Sequence, residues 1–381
     1  MANTLTNLEA DIYVAADKVG HELTGLIPSV TFNSGAERAA MNATVRSHFT
    51  RSASVTDNTP SMTIPEGNDQ TVDNKTMTLS KSRGVMIPYT GEDEKFLNSG
   101  AGFSTVYGDQ VLQAMRAITN EIEVDLAVAG TLGASNAFGT AGTTPFGTAN
   151  DYTDAANVLK LLKDNGAGSF DNCMVINTAA GANFLGKQSA VNAAGTDSIL
   201  RQGVLLDVAG MPIRESAQIQ NHAAGTSTNA TTNTAGYAVG ATAITLAGSG
   251  TILAGDAITF AGDSTQYVVA VGTNSVSGAT ITLAGGGLKV AIGTSATAIT
   301  LAADSARNLG FAKSAIEVAV RAPAKPAGRD SAAETMIVVD PHSGLSFDVS
   351  LYLGFQKQMI NVSAVWGTKV WKPEHVVTLL G

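Results

Sequence analysis

Cysteine, charge and long apolar runs are all scarce in this chain. Cys173 is the one cysteine among 381 residues, so no disulfide can form within one copy. A disulfide-stapled scaffold is excluded, and a reducing compartment is favoured. Charged residues make up 14% of the chain, against about 25% in an average soluble protein. The net charge of −9 argues against tight general binding of DNA or RNA, which needs Lys and Arg to displace counterions. A wall that merely encloses nucleic acid is not excluded by it. No uncharged apolar run approaches the roughly 18 residues of a membrane span, so no membrane partner is expected. The opening MANTLTNLEAD has neither a basic region nor an apolar stretch, and no signal peptide is expected. The expectation is a cytoplasmic product.

Catalytic constellations are lacking too. Asp340, His342 and Ser343 are the residue types of a hydrolase triad, but near-neighbours at a turn do not reach the relay geometry that defines one. His21, His48, His222, His342 and His375 show no paired spacing for a metal. Gly285 to Gly287, before Lys289, lack the spacing of a phosphate loop. Neither an enzyme activity nor a cofactor nor a metal is expected. Lys75, Lys81 and Lys95 have no partner set for a covalent crosslink, and solvated lysines are the reading.

What is present begins with residues 103–130. Val111, Met115, Ile118, Ile122, Leu126 and Ala129 fall on one helical face for five turns. Such a rod would be about 42 Å long, with Gly108 a candidate for a later start. Shorter helices are expected over 7–24, with Ile12 and Val19 on the apolar face, over 36–49, over 154–163 and over 178–184. Residues 61–64 and 75–88 alternate around a turn-like 65–70, which reads as one long hairpin. Residues 173–176, 204–208 and 211–214 read as strands. A polar linker is expected over 223–236. Beyond it come short strands between Gly turns, with ATAITLA at 241–247, ATITLA at 279–284 and ATAITLA at 296–302. This reads as a small all-β barrel inserted into an α+β block. Asp256 and Asp263 follow glycines at its turns. Residues 336–380 read as an antiparallel meander, with Trp366 and Trp371 as interface anchors or sheet core.

With 40 glycines, much Ala and Thr and little charge, the composition suits a chain largely covered by copies of itself, and also an adhesin or a secreted β-rich protein. The order of parts, together with NLGFAKSAIEVA at 308–319, DPHSGLSF at 340–347, Trp366-Gly367, KPE at 372–374 and LAGDAITF at 253–260, resembles the major capsid (coat) protein of tailed bacteriophages, in the subgroup with a β-rich inserted domain. The resemblance implies an α+β tailed-phage/herpesvirus-type capsid protein fold. Its parts would be an N-terminal arm (1–50), an extended E-loop hairpin (51–98), a peripheral domain with a spine helix (99–149 and 331–381), an axial domain (150–222 and 304–330) and an inserted β-barrel domain (223–303). It implies self-assembly as pentamers and hexamers into an icosahedral head, with a scaffolding protein and a portal at one vertex as partners. The head would enclose double-stranded DNA without sequence-specific binding, and would be a virion component assembled in the host cytoplasm. Ile12, Val19, Met62, Ile64, Met77, Leu79, Asp256, Asp263, Trp366 and Trp371 are the assembly-contact candidates. The alternative from another class is a β-rich phage tail, decoration or adhesion module.

Overall fold

The computed structural model describes residues 21–34, 37–49, 57–64, 73–97, 103–148, 151–168, 171–187, 210–326, 330–340 and 342–381. The expected strand at 204–208 and most of the expected helix at 7–24 lie outside them, Ile12 and Val19 included. Residues 21–25 are not helical. The Leu23 carbonyl instead accepts a bond from the Ala217 amide, and its side chain is half exposed.

Strands β1 (Thr31–Ser34), β2 (Thr44–Phe49), β3 (Asp73–Thr78) and β4 (Lys81–Thr90) precede helices α1 (Gly91–Leu97) and α2 (Phe103–Gly133). The apolar stripe makes α2. Val111, Met115, Ile118, Ile122 and Leu126 are all at most 3% exposed, while Ala129 lies at its margin. Gly108 does not delay the start, because the helix already begins at Phe103. At 31 residues the rod is about 46 Å long.

The second helix expected over 36–49 is a strand. Thr44 to Phe49 pairs antiparallel with Asp73 to Thr78. Cross-strand pairing of a half-buried ribbon overrides a weak local preference. The expected hairpin partner is also different: 61–64 forms no strand, and β2 takes its place. The two strands are therefore separated by residues 50–72, and closing a longer connection costs little extra entropy. A break at Leu79 and Ser80 separates β3 from β4, and β4 leaves the hairpin to pair with the C-terminal part of the chain.

Next come β5 (Asn136–Phe138), α3 (Thr153–Asp164), β6 (Asn172–Ile176), α4 (Thr178–Lys187), β7 (Ile213–Glu215) and β8 (Asn221–His222). They are followed by β9 (Thr231–Thr232), β10 (Ala243–Ala247), β11 (Ala257–Phe260), β12 (Gln266–Val271), β13 (Thr280–Leu283) and β14 (Ile299–Leu301). The last six are β15 (Ser305–Ala312), β16 (Ile316–Arg321), β17 (Ala332–Val339), β18 (Ser346–Gly354), β19 (Lys357–Val370) and β20 (Val376–Leu380).

Two sheets flank α2. One runs β1-β16-β19-β18-β17, with β4 also on β19. The other runs β7-β6-β15-β20-β5-β12-β13-β10-β9, with β8, β11 and β14 attached. The expected C-terminal meander holds for β17 to β19, whereas β20 crosses to the second sheet. The main core gathers the buried stripe of α2 with Leu309, Phe311, Ile316, Phe347, Val362 and Trp366. A second cluster lies where α3 and α4 cover β6 and β20. A third, around Ile244, Phe260, Tyr267, Ile281 and Ile299, belongs to β9–β14.

The three near-repeats are β10, β13 and β14, and their isoleucines are buried at Ile244, Ile281 and Ile299. Period-2 alternation puts each one on the inner face. These strands are joined to the rest, since β12 pairs with β5 at Tyr267 and Asn136. Residues 223–236 are not a free linker. Ala230 and Thr232 are buried, and β9 pairs with β10.

Gly367 shows how closely β19 meets the turn after β3. A Cβ there would lie 2.3 Å from the Thr78 carbonyl oxygen, and backbone cannot move aside as a flexible side chain can. Gly367→Ala should destabilise the fold by about 1–3 kcal/mol, read as a lowered denaturant midpoint. A midpoint equal to that of the wild type would disprove the close approach.

Candidate assembly surfaces

The β2–β3 hairpin is fixed at its base by Met77 and Leu79, which pack with Ala319, Val365 and Trp371. The Lys75 ammonium donates to the Trp371 carbonyl at 3.0 Å. Period-2 alternation carries both apolar residues inward, so Met77 and Leu79 (0% and 1% exposed) are used within their own copy. Trp366 and Trp371 are likewise core residues. The Trp366 Nε1 donates to the Asp125 carboxylate of α2 at 2.8 Å, and the Trp371 Nε1 donates to Glu317. All four are packed inside their own copy. Met62 and Ile64 are the opposite case. They stand fully in solvent, in an irregular segment where every residue from 57 to 64 is exposed. A second exposed apolar point is the β18–β19 hairpin tip, with Leu353 and Phe355 outward.

Asp256 and Asp263 are turn builders. Asp256 is fully buried and accepts from the Leu253 amide at 2.6 Å and the Gly225 amide at 3.1 Å. His222 Nε2 lies 2.8 Å from its other oxygen. Asp263 accepts from the Thr265 amide at 2.8 Å and the Tyr267 hydroxyl at 2.6 Å. Among the described residues no group of three or more His, Cys, Asp or Glu side chains is placed to hold a metal. No described helix is long and apolar enough to cross a membrane.

Asp340 is also a turn residue. Its carboxylate accepts from the His342 and Ser343 amides at 3.2 and 3.1 Å. The His342 ring is stacked on His21, with centroids 4.6 Å apart, and not between an acid and a hydroxyl. Burial, then the neighbouring His342, pushes the His21 imidazole down. Burial pushes the Cys173 thiol up to about 12, which makes it unreactive. Lys81 is not freely solvated. Its ammonium lies 2.7 Å from Asp125 and 3.2 Å from Glu121, both on α2.

The residue that sequence reasoning missed is Glu123. It lies on the polar side of the α2 stripe, yet it is 0% exposed. Its carboxylate accepts from the amides of Gly25, Leu26 and Ile27 at 2.7, 2.6 and 2.9 Å, and from the Ser216 hydroxyl at 2.8 Å. Those amides open the 3-10 turn Ile27–Ser29, where free N–H groups need an acceptor. A glutamate spaced one residue after a core isoleucine, Ile122, was its only sequence signal. Nearby, Arg116 of α2 forks onto Glu22, which Asn120 also contacts at 2.8 Å. The N-terminal segment is thus moored to the long helix at two points.

The Arg116 hydrogen bonds hold the Glu22 carboxyl down to about 2 from its ordinary 4.5, with Asn120 adding to this against burial. A depressed folded-state value contributes stability that is complete above 4.5 and is lost as pH falls through about 2. Arg116→Met should therefore weaken the pH dependence of unfolding between those values. Parallel curves for wild type and variant would contradict the pairing.

No protein-family profile matches this sequence, and no curated protein matches it. Solved structures do match. The chain in the capsid structure of cyanophage P-SCSP1u is 11% identical, with 95% of this chain and 89% of that one covered and a TM-score of 0.52. A Mycobacterium phage Che8 chain is 12% identical over 89% of this chain and 84% of that one, with a TM-score of 0.47. A chain of the bacteriophage PhiM1 mature capsid is 10% identical over 95% and 88%, with a TM-score of 0.47. The likeness to the cyanophage capsid chain shows a shared fold.

Proposed function

We propose that this chain is the major capsid protein of a tailed bacteriophage, a structural protein that builds the head. The observation that carries the reading is the fold shared with the cyanophage capsid chain over 95% of the sequence. The surface supports it. A ribbon that holds Met62 and Ile64 out in solvent gains nothing from them in an isolated copy and much in a closed shell of many modest, repeated contacts.

In this reading the copies assemble as pentamers and hexamers around double-stranded DNA. A scaffolding protein guides them, a portal occupies one vertex, and assembly takes place in the host cytoplasm. The β2–β3 hairpin with its loop is the E-loop, and α2 is the spine helix of the peripheral domain. Residues 150–222 and 304–330 form the axial domain, and 223–303 form the inserted β domain. Met62 and Ile64 are contacts between copies. Sedimentation of the purified chain tests the reading: particles of shell size support it, and a species that stays monomeric with and without scaffolding protein overturns it.

A further inference from the structure

Arg307, on β15, is one of two buried arginines among the described residues. The other, Arg321, donates to the Val320 carbonyl at 2.9 Å and the Asn33 side chain at 2.6 Å. Arg307 is 2% exposed, and its Nε and both terminal nitrogens have no hydrogen-bond partner. Its neighbour in the strand, Asn308, is fully engaged with the Asn177 amide and the Leu379 carbonyl. The unmet hydrogen-bonding need is therefore confined to the guanidinium.

A cavity of about 100 Å³ adjoins it, lined by Val128, Thr131 and Leu132 of α2 and by Asn221, His222 and Arg307. One water needs only about 10–15 Å³. Val128 and Leu132 are partly exposed and connect the cavity to solvent. The nearby carboxylates do not fill the guanidinium's need. Asp256 is taken by the Leu253 and Gly225 amides and by His222, and Asp304 accepts from the Ala224 amide. Both lie close enough to favour the charged arginine against the burial that opposes it. They offset part of its charge and leave its donors unused. A buried, unpaired guanidinium is costly, and its planar fork matches two oxygens of one oxyanion.

We propose that this cavity binds a small free oxyanion of the phosphate, sulfate or carboxylate class, held by the Arg307 guanidinium. The test is thermal unfolding of the full chain in phosphate, sulfate or acetate, each against chloride at equal ionic strength. The apparent Tm should rise saturably by about 2–4 °C in at least one of the three. A rise in phosphate and sulfate marks a tetrahedral ligand, and a rise in acetate alone marks a carboxylate. Arg307→Met should abolish the rise. Val128→Trp, which fills the mouth without touching the guanidinium, should abolish it too and decides the matter if the first variant does not fold. Equal melting of the wild type in all four salts, or a rise that survives Val128→Trp, overturns the proposal.

Discussion

Glu123→Ala should lower the unfolding free energy by about 3–5 kcal/mol, because it takes one shared acceptor from several buried donors. One carboxylate satisfies three successive amides and a hydroxyl, all within 2.9 Å. Glu123 and Ser216 are both 0% exposed, so bulk solvent does not compete for these donors in the folded chain. Each buried donor left without a partner costs about 1–3 kcal/mol. The carboxylate joins three segments far apart in sequence, near residues 25, 123 and 216. Glu123→Gln keeps one oxygen in place for Gly25, Leu26 and Ser216 but turns an amide NH2 toward Ile27. Its loss should be smaller, about 1–2 kcal/mol. Chemical denaturation of the isolated chain measures both. An alanine variant within experimental error of the wild type would show that the N-terminal segment is not held in this way.

Replacing Met62 and Ile64 together by aspartate should abolish shell formation and leave the single copy as stable as before. Both side chains are fully solvated in the isolated chain, so the fold loses no packing, and surface changes of this kind stay within about 0.5 kcal/mol. In an assembly the same side chains would be covered. Burying one of that size contributes about 1.5–3 kcal/mol, and the term recurs at every equivalent contact. Assembly would then be lost without any fall in melting temperature. A variant that still forms shells in normal yield would remove 57–64 from the list of contacts. A variant that unfolds would contradict its placement in solvent.

Much of the architecture is legible in the sequence, and what is not has physical causes. The α2 rod was legible because its burial is one-sided and sustained, so period 3.6 dominates the pattern. The ITL repeats were legible as strands for the same reason at period 2. The hairpin at 44–78 was misassigned because strand pairing is non-local. Nothing near Thr44 announces Thr78 as its partner, and the turn-like 65–70 drew the pairing to the nearer segment. Met77, Leu79, Trp366 and Trp371 were candidates for contact because a sequence does not distinguish a core shared within one copy from one shared between copies. Glu123 was invisible because its donors are backbone amides almost a hundred positions away, which leave no side-chain signature.

The central claim is that copies of this chain close into a shell. Negative-stain electron microscopy tests it most directly, on the chain expressed alone and together with its candidate scaffolding protein. Closed round particles of uniform diameter are the predicted result. Discrete small oligomers under every condition would contradict it and move the reading to a tail, decoration or adhesion module.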